Sequence, residues 1–533
     1  MALLLRVALT ALSAVATGLA FPPASLKLLI WVALAPWLAV LHGASLRSAL
    51  LLAWGWTLFA AWMVGSWMPE AVANYFLQPR ALGYAFFFGV ATGMAAIFYM
   101  AFAAAYRELA GRLDPRWLPW AAGAAWCTAE LGRGRLLTAL AFVADPWGLL
   151  GYSQVGLDPL VQSVAATGIY GLGFAIAAAN AGLAELARVA CGRGSGAARR
   201  RAAEGALLGV LPALAALLYG HLVLRDAPEI GTAAEAGAVG AVIVQGNVSL
   251  GTRWRTEFHG KNLDIYLEAT QAALSEHPGG VVFWPEAAFT FLLEDEPDYA
   301  RAIARVLQAG DGELVAGGVR NGGSKEEPRY FNTIFAVDPT GRILARYDKQ
   351  YLVPFTEYFP LRRIDLLRRN FERVRVFEHG GVAELLPTRA GRAGVLTCSE
   401  VMMPELAAKR VRAGATLLVN PSNDTWVPDR RFADHLFDIA SVRAVEQRRF
   451  LVRASTSGPS AIVDPWGRVQ ARSEPFTRAV VRGWIAPRTE TTPYARVGDL
   501  FAYACAVALP FALWRARARR QGVPALGARP ATR

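Results

Sequence analysis

Gly394-Val395-Leu396-Thr397-Cys398-Ser399-Glu400 is a strand-like run that ends on a cysteine with small and acidic neighbours. Two upstream stretches share this build, Val281-Val282-Phe283-Trp284-Pro285-Glu286 and Tyr347-Asp348-Lys349-Gln350-Tyr351-Leu352-Val353-Pro354-Phe355. A thiol, a carboxylate and an amine thus each stand at or just past a strand end, where α/β scaffolds present catalytic groups. A thiol near its ordinary pKa is mostly protonated at neutral pH, so Cys398 as a nucleophile needs a proton acceptor or a stabilising positive charge. Glu286, directed out of its strand by Pro285, can supply the first. Lys349 can supply the second and can also hold the oxyanion of an acyl carbonyl that becomes tetrahedral.

The 533 residues are 54% hydrophobic and only 18% charged, with a mean hydropathy of +0.29, the texture of a membrane protein that carries a soluble part. Apolar runs of roughly bilayer-spanning length fall at 3–20, 26–41, 48–68, 81–106, 117–140, 160–186 and 203–224, and an eighth at 500–514. The first has the look of a signal peptide, but further spans follow closely, so it is read as a transmembrane helix. Arg107, Arg112 and Arg116, then Arg193 and Arg199 to Arg201, then Arg515, Arg517, Arg519 and Arg520 cluster between or after these runs. Positive loops stay cytoplasmic, and alternation then places the long stretch between the seventh and eighth runs on the periplasmic side of a bacterial inner membrane.

The formal net charge of +13 does not indicate nucleic acid, because the arginines sit at the ends of apolar runs and in the C-terminal tail. Of the four cysteines, Cys127, Cys191 and Cys505 lie in or beside apolar runs and read as small buried hydrophobes. Metal-ligand spacing and a disulfide framework are both missing from the pattern, so neither metal nor cofactor is expected.

Between the last two spans, short β-rich runs at 241–245, 281–284, 313–317, 333–337, 395–397, 415–420 and 461–464 alternate with helix-like segments at 256–274, 297–308 and 432–449. That is the pattern of a layered α/β domain. The expected plan is a seven-helix transmembrane domain at 1–225, a periplasmic catalytic domain at 226–498, a C-terminal transmembrane helix at 499–516 and a basic, disordered cytoplasmic tail at 517–533.

The set Trp284-Pro285-Glu286, Tyr347-Asp348-Lys349 with Leu352-Val353-Pro354-Phe355, and Cys398-Ser399-Glu400 resembles the carbon-nitrogen hydrolase (nitrilase) superfamily. The helical frame narrows the resemblance to its membrane-embedded branch, the apolipoprotein N-acyltransferases. Further matching stretches are Val244-Gln245-Gly246-Asn247, Gly151-Tyr152-Ser153-Gln154, Asn420-Pro421-Ser422-Asn423-Asp424-Thr425-Trp426 and Arg443-Ala444-Val445-Glu446.

The resemblance implies an αββα sandwich and a Glu286-Lys349-Cys398 triad. It implies a ping-pong reaction in which Cys398 takes a fatty acyl group from a membrane phospholipid as a thioester and passes it to the α-amino group of a diacylglyceryl-cysteine at the N-terminus of an apolipoprotein. Glu357 would orient Lys349 or share its proton traffic, and Glu400 would shape the pocket beside the nucleophile. Trp254 and Trp426 are candidates for an acyl channel or lid. Trp62, Trp67, Trp147, Tyr75 and Tyr152 read as interfacial anchors, and His435 as structural. Ser399, Thr356, Asp434 and Thr456 depart from the family's pattern and bear on substrate detail. The alternative from another reaction class is a membrane-tethered amidase using the same triad, for which seven preceding spans serve no obvious purpose. A monomer is expected.

Overall fold

The computed structural model describes residues 3–139, 146–192, 195–249, 251, 255–276, 278–358 and 376–520. Every expected apolar run is helical. Leu3–Leu19 (α1), Leu46–Gly65 (α2), Arg80–Ala110 (α3), Leu118–Ala139 (α4), Val164–Cys191 (α5) and Gly196–Arg225 (α6) form the N-terminal region, and a broken helical segment, Lys27–Leu41, joins α1 to α2. Helices α2, α3, α5 and α6, together with the C-terminal Leu500–Ala518, are each long and apolar enough to cross a membrane. α1 and the Lys27–Leu41 segment are shorter, and α4 carries Glu130, Arg133 and Arg135. Those charges turn inward, as ionisable groups at membrane depth must: Glu130 accepts the Leu150 N–H, Arg133 donates to the Tyr99 hydroxyl, and Arg135 pairs with Glu405 and Asp499.

The α/β region is built from two six-stranded sheets. The first holds Val239–Gln245 (β1), Val281–Phe283 (β2), Glu313–Asn321 (β3), Tyr330–Val337 (β4), Ile343–Asp348 (β5) and, from the far end of the chain, Ala479–Ile485 (β12), in the order β12-β1-β2-β3-β4-β5. The second holds Leu386–Thr388 (β6), Gly391–Val395 (β7), Leu417–Ser422 (β8), Leu451–Ser455 (β9), Ala461–Val463 (β10) and Val469–Arg472 (β11), in the order β11-β10-β9-β8-β7-β6. The central trios β1-β2-β3 and β7-β8-β9 are parallel, so their carboxyl ends lie together. Ile243, Phe283 and Val315 pack against Val395, Val419 and Val452 in the seam between the sheets. Helices His259–Glu276 (α7) and Pro297–Ala309 (α8) cover the outer face of the first sheet, and Pro404–Arg412 (α9) and Arg430–Gln447 (α10) that of the second. This is the αββα sandwich expected.

Helix α10 has two buried faces, and that joins the halves of the molecule. Leu436, Phe437 and Ala440 face the second sheet, while Ile439, Val442 and Val445 pack into the helical region. Apolar residues on both faces require cover on both. The last helix, Leu500–Arg520 (α11), then returns along α4. It continues through residues 517–520 of the expected tail, and 521–533 lie outside the described residues.

The clearest local join is a break in α5. Gly168 adopts φ 67°, ψ −179°, and a Cβ there would lie 2.4 Å from the Tyr494 ring. The Ile169 N–H just past the break is taken by the Glu446 carboxylate of α10 at 3.2 Å. That backbone conformation is essentially confined to glycine, so Gly168→Ala is expected to cost about 1–3 kcal/mol in strain before the clash is counted. The measurement is thermal unfolding in detergent, and a variant that melts with wild type contradicts this account of the break.

Candidate active site

Each of the three expected groups is delivered by a bend at a strand end. After β2 the chain turns through Pro285 to Glu286, and Ala287 takes a positive φ of 55°. Gly317 of β3 lies so close that a Cβ would come within 2.7 Å of the Glu286 Cα. Lys349 directly follows β5, with its N–H bonded to the Asn332 carbonyl. Beyond β7, Cys398 opens a short helical turn with φ 50°, and Phe355, two residues before Glu357, has φ 65°. Positive φ at non-glycine residues is uncommon and gathers at functional sites.

These bends bring the groups together. Glu286, Lys349, Glu357 and Cys398 are 5%, 1%, 8% and 6% exposed. The Lys349 Nζ lies 3.3 Å from Glu286 Oε1 and 2.9 Å from Glu357 Oε2. Burial works to lower the Lys349 ammonium, but Glu286, Glu357 and Cys398 outweigh it and hold it well above the ordinary lysine value. Burial, with the negative charge of Glu286, pushes the Cys398 thiol up to about 12, while Lys349 and the Asn423 backbone N–H pull it down. Burial thus favours the neutral thiol, and the neighbouring acidic groups favour the lysine cation.

The turn itself is anchored by Glu400. Its side chain is fully buried, it is not among the residues lining the cavity at Cys398, and its oxygens accept from the Tyr347 hydroxyl and the N–H groups of Gln350, Tyr351 and Thr397. Glu400 ties the segment after Lys349 to the turn that carries Cys398. Behind it, Arg410 donates to the Tyr347 hydroxyl and the Val395 carbonyl. On the other flank Asn420 donates to the carbonyls of Leu396 and Cys398, and Arg453 holds both Asn420 and Asp424.

Asn332 escaped the sequence reading. Its side-chain N–H group donates to Glu286 Oε1 and to Glu357 Oε1, both at 2.7 Å, so one amide sets the spacing of the two carboxylates around Lys349. A signal was present: residues 332, 334 and 336 share the inward face of β4, and Asn332 is polar where Ile334 and Ala336 are apolar.

A cavity of about 220 Å³ opens at Cys398 and Ser399 and runs between α1, α2 and α3 past Trp56, Ala60 and Phe87. Its lining is almost wholly apolar, and it skirts the π-helical turn Ala91–Ala96 within α3. Trp426 lines it and packs edge-on to Trp67, Tyr75 and Phe432. Trp67 and Trp147, read from sequence as interfacial anchors, belong to this aromatic cluster between the helices and the α/β region, 5.5 Å apart. Tyr152 is likewise buried, accepting from Arg443. His435 packs its ring against Trp147 and Phe21, and burial holds it uncharged, which is the structural role expected. Trp254 lies outside the described residues. Of the residues that depart from the family's pattern, Ser399 lines the cavity and Thr456 reaches the Glu286 carbonyl, whereas Asp434 pairs with Arg430 and Arg472 at the surface.

Comparison with known proteins gives two adjoining matches. Residues 13–182 match the apolipoprotein N-acyltransferase N-terminal domain, and residues 240–494 match the carbon-nitrogen hydrolases. The apolipoprotein N-acyltransferase of Geobacter metallireducens is 31% identical over 502 residues, covering 93% of this chain and 92% of that one. That of Azotobacter vinelandii is 31% identical over 510 residues, covering 91% of each. Among solved structures, a carbon-nitrogen hydrolase from Helicobacter pylori aligns with 52% of this chain and 94% of its own at 17% identity, with a TM-score of 0.37.

Two outcomes check the electrostatics. Alkylation of Cys398 by a small neutral reagent is expected to accelerate with pH without a plateau below about pH 10, and Glu286→Gln, which removes a repelling charge, to shift that profile to lower pH. A wild-type plateau near neutrality contradicts the raised thiol. Asn332→Leu leaves two buried carboxylate oxygens short of a donor, at about 1–3 kcal/mol each; turnover about 10- to 100-fold below wild type is expected, with Asn332→Gln recovering part of it.

Proposed function

The chain belongs to the apolipoprotein N-acyltransferase family, and from that membership we propose that Glu286, Lys349 and Cys398 move a fatty acyl group from a membrane phospholipid to the amino-terminal diacylglyceryl-cysteine of a lipoprotein. The observation that carries the reading is the apolar cavity leading from Cys398 into the helices, because an acyl chain needs such a path and a small soluble amide does not. The amidase alternative gains nothing from it.

In the first half-reaction Glu286 takes the thiol proton as sulfur attacks the ester carbonyl of the donor. The new S–C bond forms, Lys349 and backbone N–H groups meet the oxyanion, and the C–O bond breaks as the proton passes to the leaving lysophospholipid. In the second, the free α-amino group attacks the thioester, an N–C bond forms, the C–S bond breaks and the amine proton returns by way of Glu286 to sulfur. Glu357 keeps the Lys349 charge in place throughout, with Asn332 spacing the two carboxylates.

Water competes with the amine for a thioester. The buried triad and its apolar approach favour the amine, because few water molecules can be accommodated beside the acyl group.

We divide the chain as membrane helices over 1–225, a catalytic domain over 226–498, a returning helix over 499–516 and a basic tail over 517–533, with the catalytic domain on the periplasmic side of the inner membrane. Supporting this, the arginine-bearing segments gather at one end of the helices: Arg116 approaches Glu204 at 3.9 Å, and Asp114 and Arg515 line one groove. One chain holds the whole triad and the whole cavity, so the working unit is taken as a monomer.

Incubation of the detergent-purified protein with phospholipid is expected to give an acyl adduct by intact mass that hydroxylamine removes and that moves to the amine of an added diacylglyceryl lipopeptide. An undiminished adduct on Cys398→Ala, or none on wild type, overturns the nucleophile. An adduct that passes only to water restores the hydrolase reading. A reporter fused after Trp514 is expected on the cytoplasmic side.

A further inference from the structure

The cavity at Cys398 has two ends, and each is marked by an approach of α2 to α3. At the mouth a Cβ on Gly65 would lie 3.3 Å from the Phe87 ring, and the neighbouring Phe86 rests edge-on against Phe355 of the loop after Lys349, with ring centres 5.7 Å apart. At the far end Trp56 meets Tyr99, with ring centres 5.4 Å apart. Gly65, Phe87, Trp56 and Tyr99 all line the cavity. At 1.5 Å per residue, the stretch 56–65 of α2 covers about 14 Å and the stretch 87–99 of α3 about 18 Å. A phospholipid acyl chain spans one leaflet, roughly half of the 30 Å hydrocarbon core. The cavity is therefore about as deep as one whole chain is long.

Its far end is closed by interlocked rings. The Trp56 indole stacks on Trp37 at 4.6 Å, meets Trp126 edge-on at 5.8 Å and donates its N–H to the Ser13 hydroxyl at 3.1 Å. Tyr99 packs on Trp126 at 5.0 Å, and its hydroxyl accepts from Arg133 at 3.0 Å. In so close a packing one ring cannot turn aside unless its neighbours also move. Arg133 lines the cavity as well, and a cation is an unfavourable contact for a terminal methyl group. The side walls offer no such obstacle: Thr17 and Thr57 give their hydroxyls to carbonyls one turn back, and Ala60, Ala91 and Ala95 are small.

We infer that Trp56 and Tyr99, backed by Arg133, form a stop that sets the upper length of the acyl chain carried on Cys398, at about that of an ordinary membrane chain of sixteen to eighteen carbons. The inference rests on the acyltransfer reading, because a thioester on Cys398 starts the chain in the mouth of the cavity. The chain leaves one apolar medium for another, so hydrophobic transfer discriminates little between lengths and steric fit decides. A chain too long for the space must displace packed rings or fold back at the mouth, an overpacking that slows acylation about 10-fold or more. Ala60 and Ala95 stand one helical turn, about 6 Å, nearer the mouth than Trp56 and Tyr99. A larger side chain at either position raises the floor by the length of about four carbons.

The test is a competition. Full-length protein in mixed micelles receives an equimolar mixture of zwitterionic diacyl phospholipids whose two identical saturated chains have twelve, sixteen or twenty carbons, and the first acyl adducts formed are resolved by intact mass. Wild type is expected to carry the twelve- and sixteen-carbon adducts about 10-fold in excess of the twenty-carbon one. Trp56→Leu, which withdraws the indole, is expected to bring the twenty-carbon adduct level with the sixteen-carbon one. Ala60→Leu and Ala95→Leu, on two different helices, are each expected to depress the sixteen-carbon adduct about 10-fold against the twelve-carbon one. The twelve-carbon chain ends above every substituted position, so its adduct reports whether each variant has folded. Equal adducts of all three lengths on wild type overturn the stop, as does a length preference that none of the three variants moves. No adduct of any length on wild type overturns the acyltransfer reading instead.

Discussion

A lysine cation with 1% of its surface exposed cannot stand alone inside a protein, and the architecture of the α/β region answers that requirement. Two carboxylates must reach Lys349 from different loops, Glu286 after β2 and Glu357 beyond β5. Two negative charges that close would repel, and Asn332 stands between them with a donor for each. The cysteine enters the same field from the second sheet, carried on a turn that Glu400 ties to the lysine segment. Removing Lys349 would leave two buried carboxylates without their cation. The strained backbone at Ala287, Phe355 and Cys398 is held by the interactions on either side of it.

The same site faces the membrane helices because of α10. Buried on one side by the second sheet and on the other by α5 and its neighbours, it fixes the carboxyl ends of β7 and β8 against the helical region. The Gly168 break in α5, satisfied by Glu446, is where that docking reaches into a membrane helix. From this arrangement follows a division of environments around one thiol. An apolar cavity approaches Cys398 from the helices, and the buried carboxylates and Lys349 face the same thiol from the α/β side.

Much of this was legible in the chain. The apolar runs announced their helices, since spanning a bilayer demands long stretches of one kind of residue. The short β-rich runs announced the sheets, and the strand-end contexts of Glu286, Lys349 and Cys398 announced the triad, whose members the fold brings together. Other features depend on partners distant in sequence. Asn332 looks like an ordinary strand residue until its face of β4 is known to meet Glu286, 46 residues earlier. Glu400 adjoins Cys398 in sequence, but only the fold shows that its carboxylate meets the Tyr347 hydroxyl and the Gln350 and Tyr351 N–H groups. Trp67 and Trp147 sit near span boundaries and suggest anchoring, but the docked α/β region covers them with Trp426 and Phe432.

Composition and periodicity act locally, so the sequence by itself determined the helices, the sheets and the strand-end placing of Glu286, Lys349 and Cys398. Burial, charge compensation and the choice of hydrogen-bond partner are set by whatever the chain brings within a few ångströms. For that reason only the tertiary structure decided which carboxylates would hold the lysine, which way Glu400 would point, and that an apolar cavity would open at Cys398.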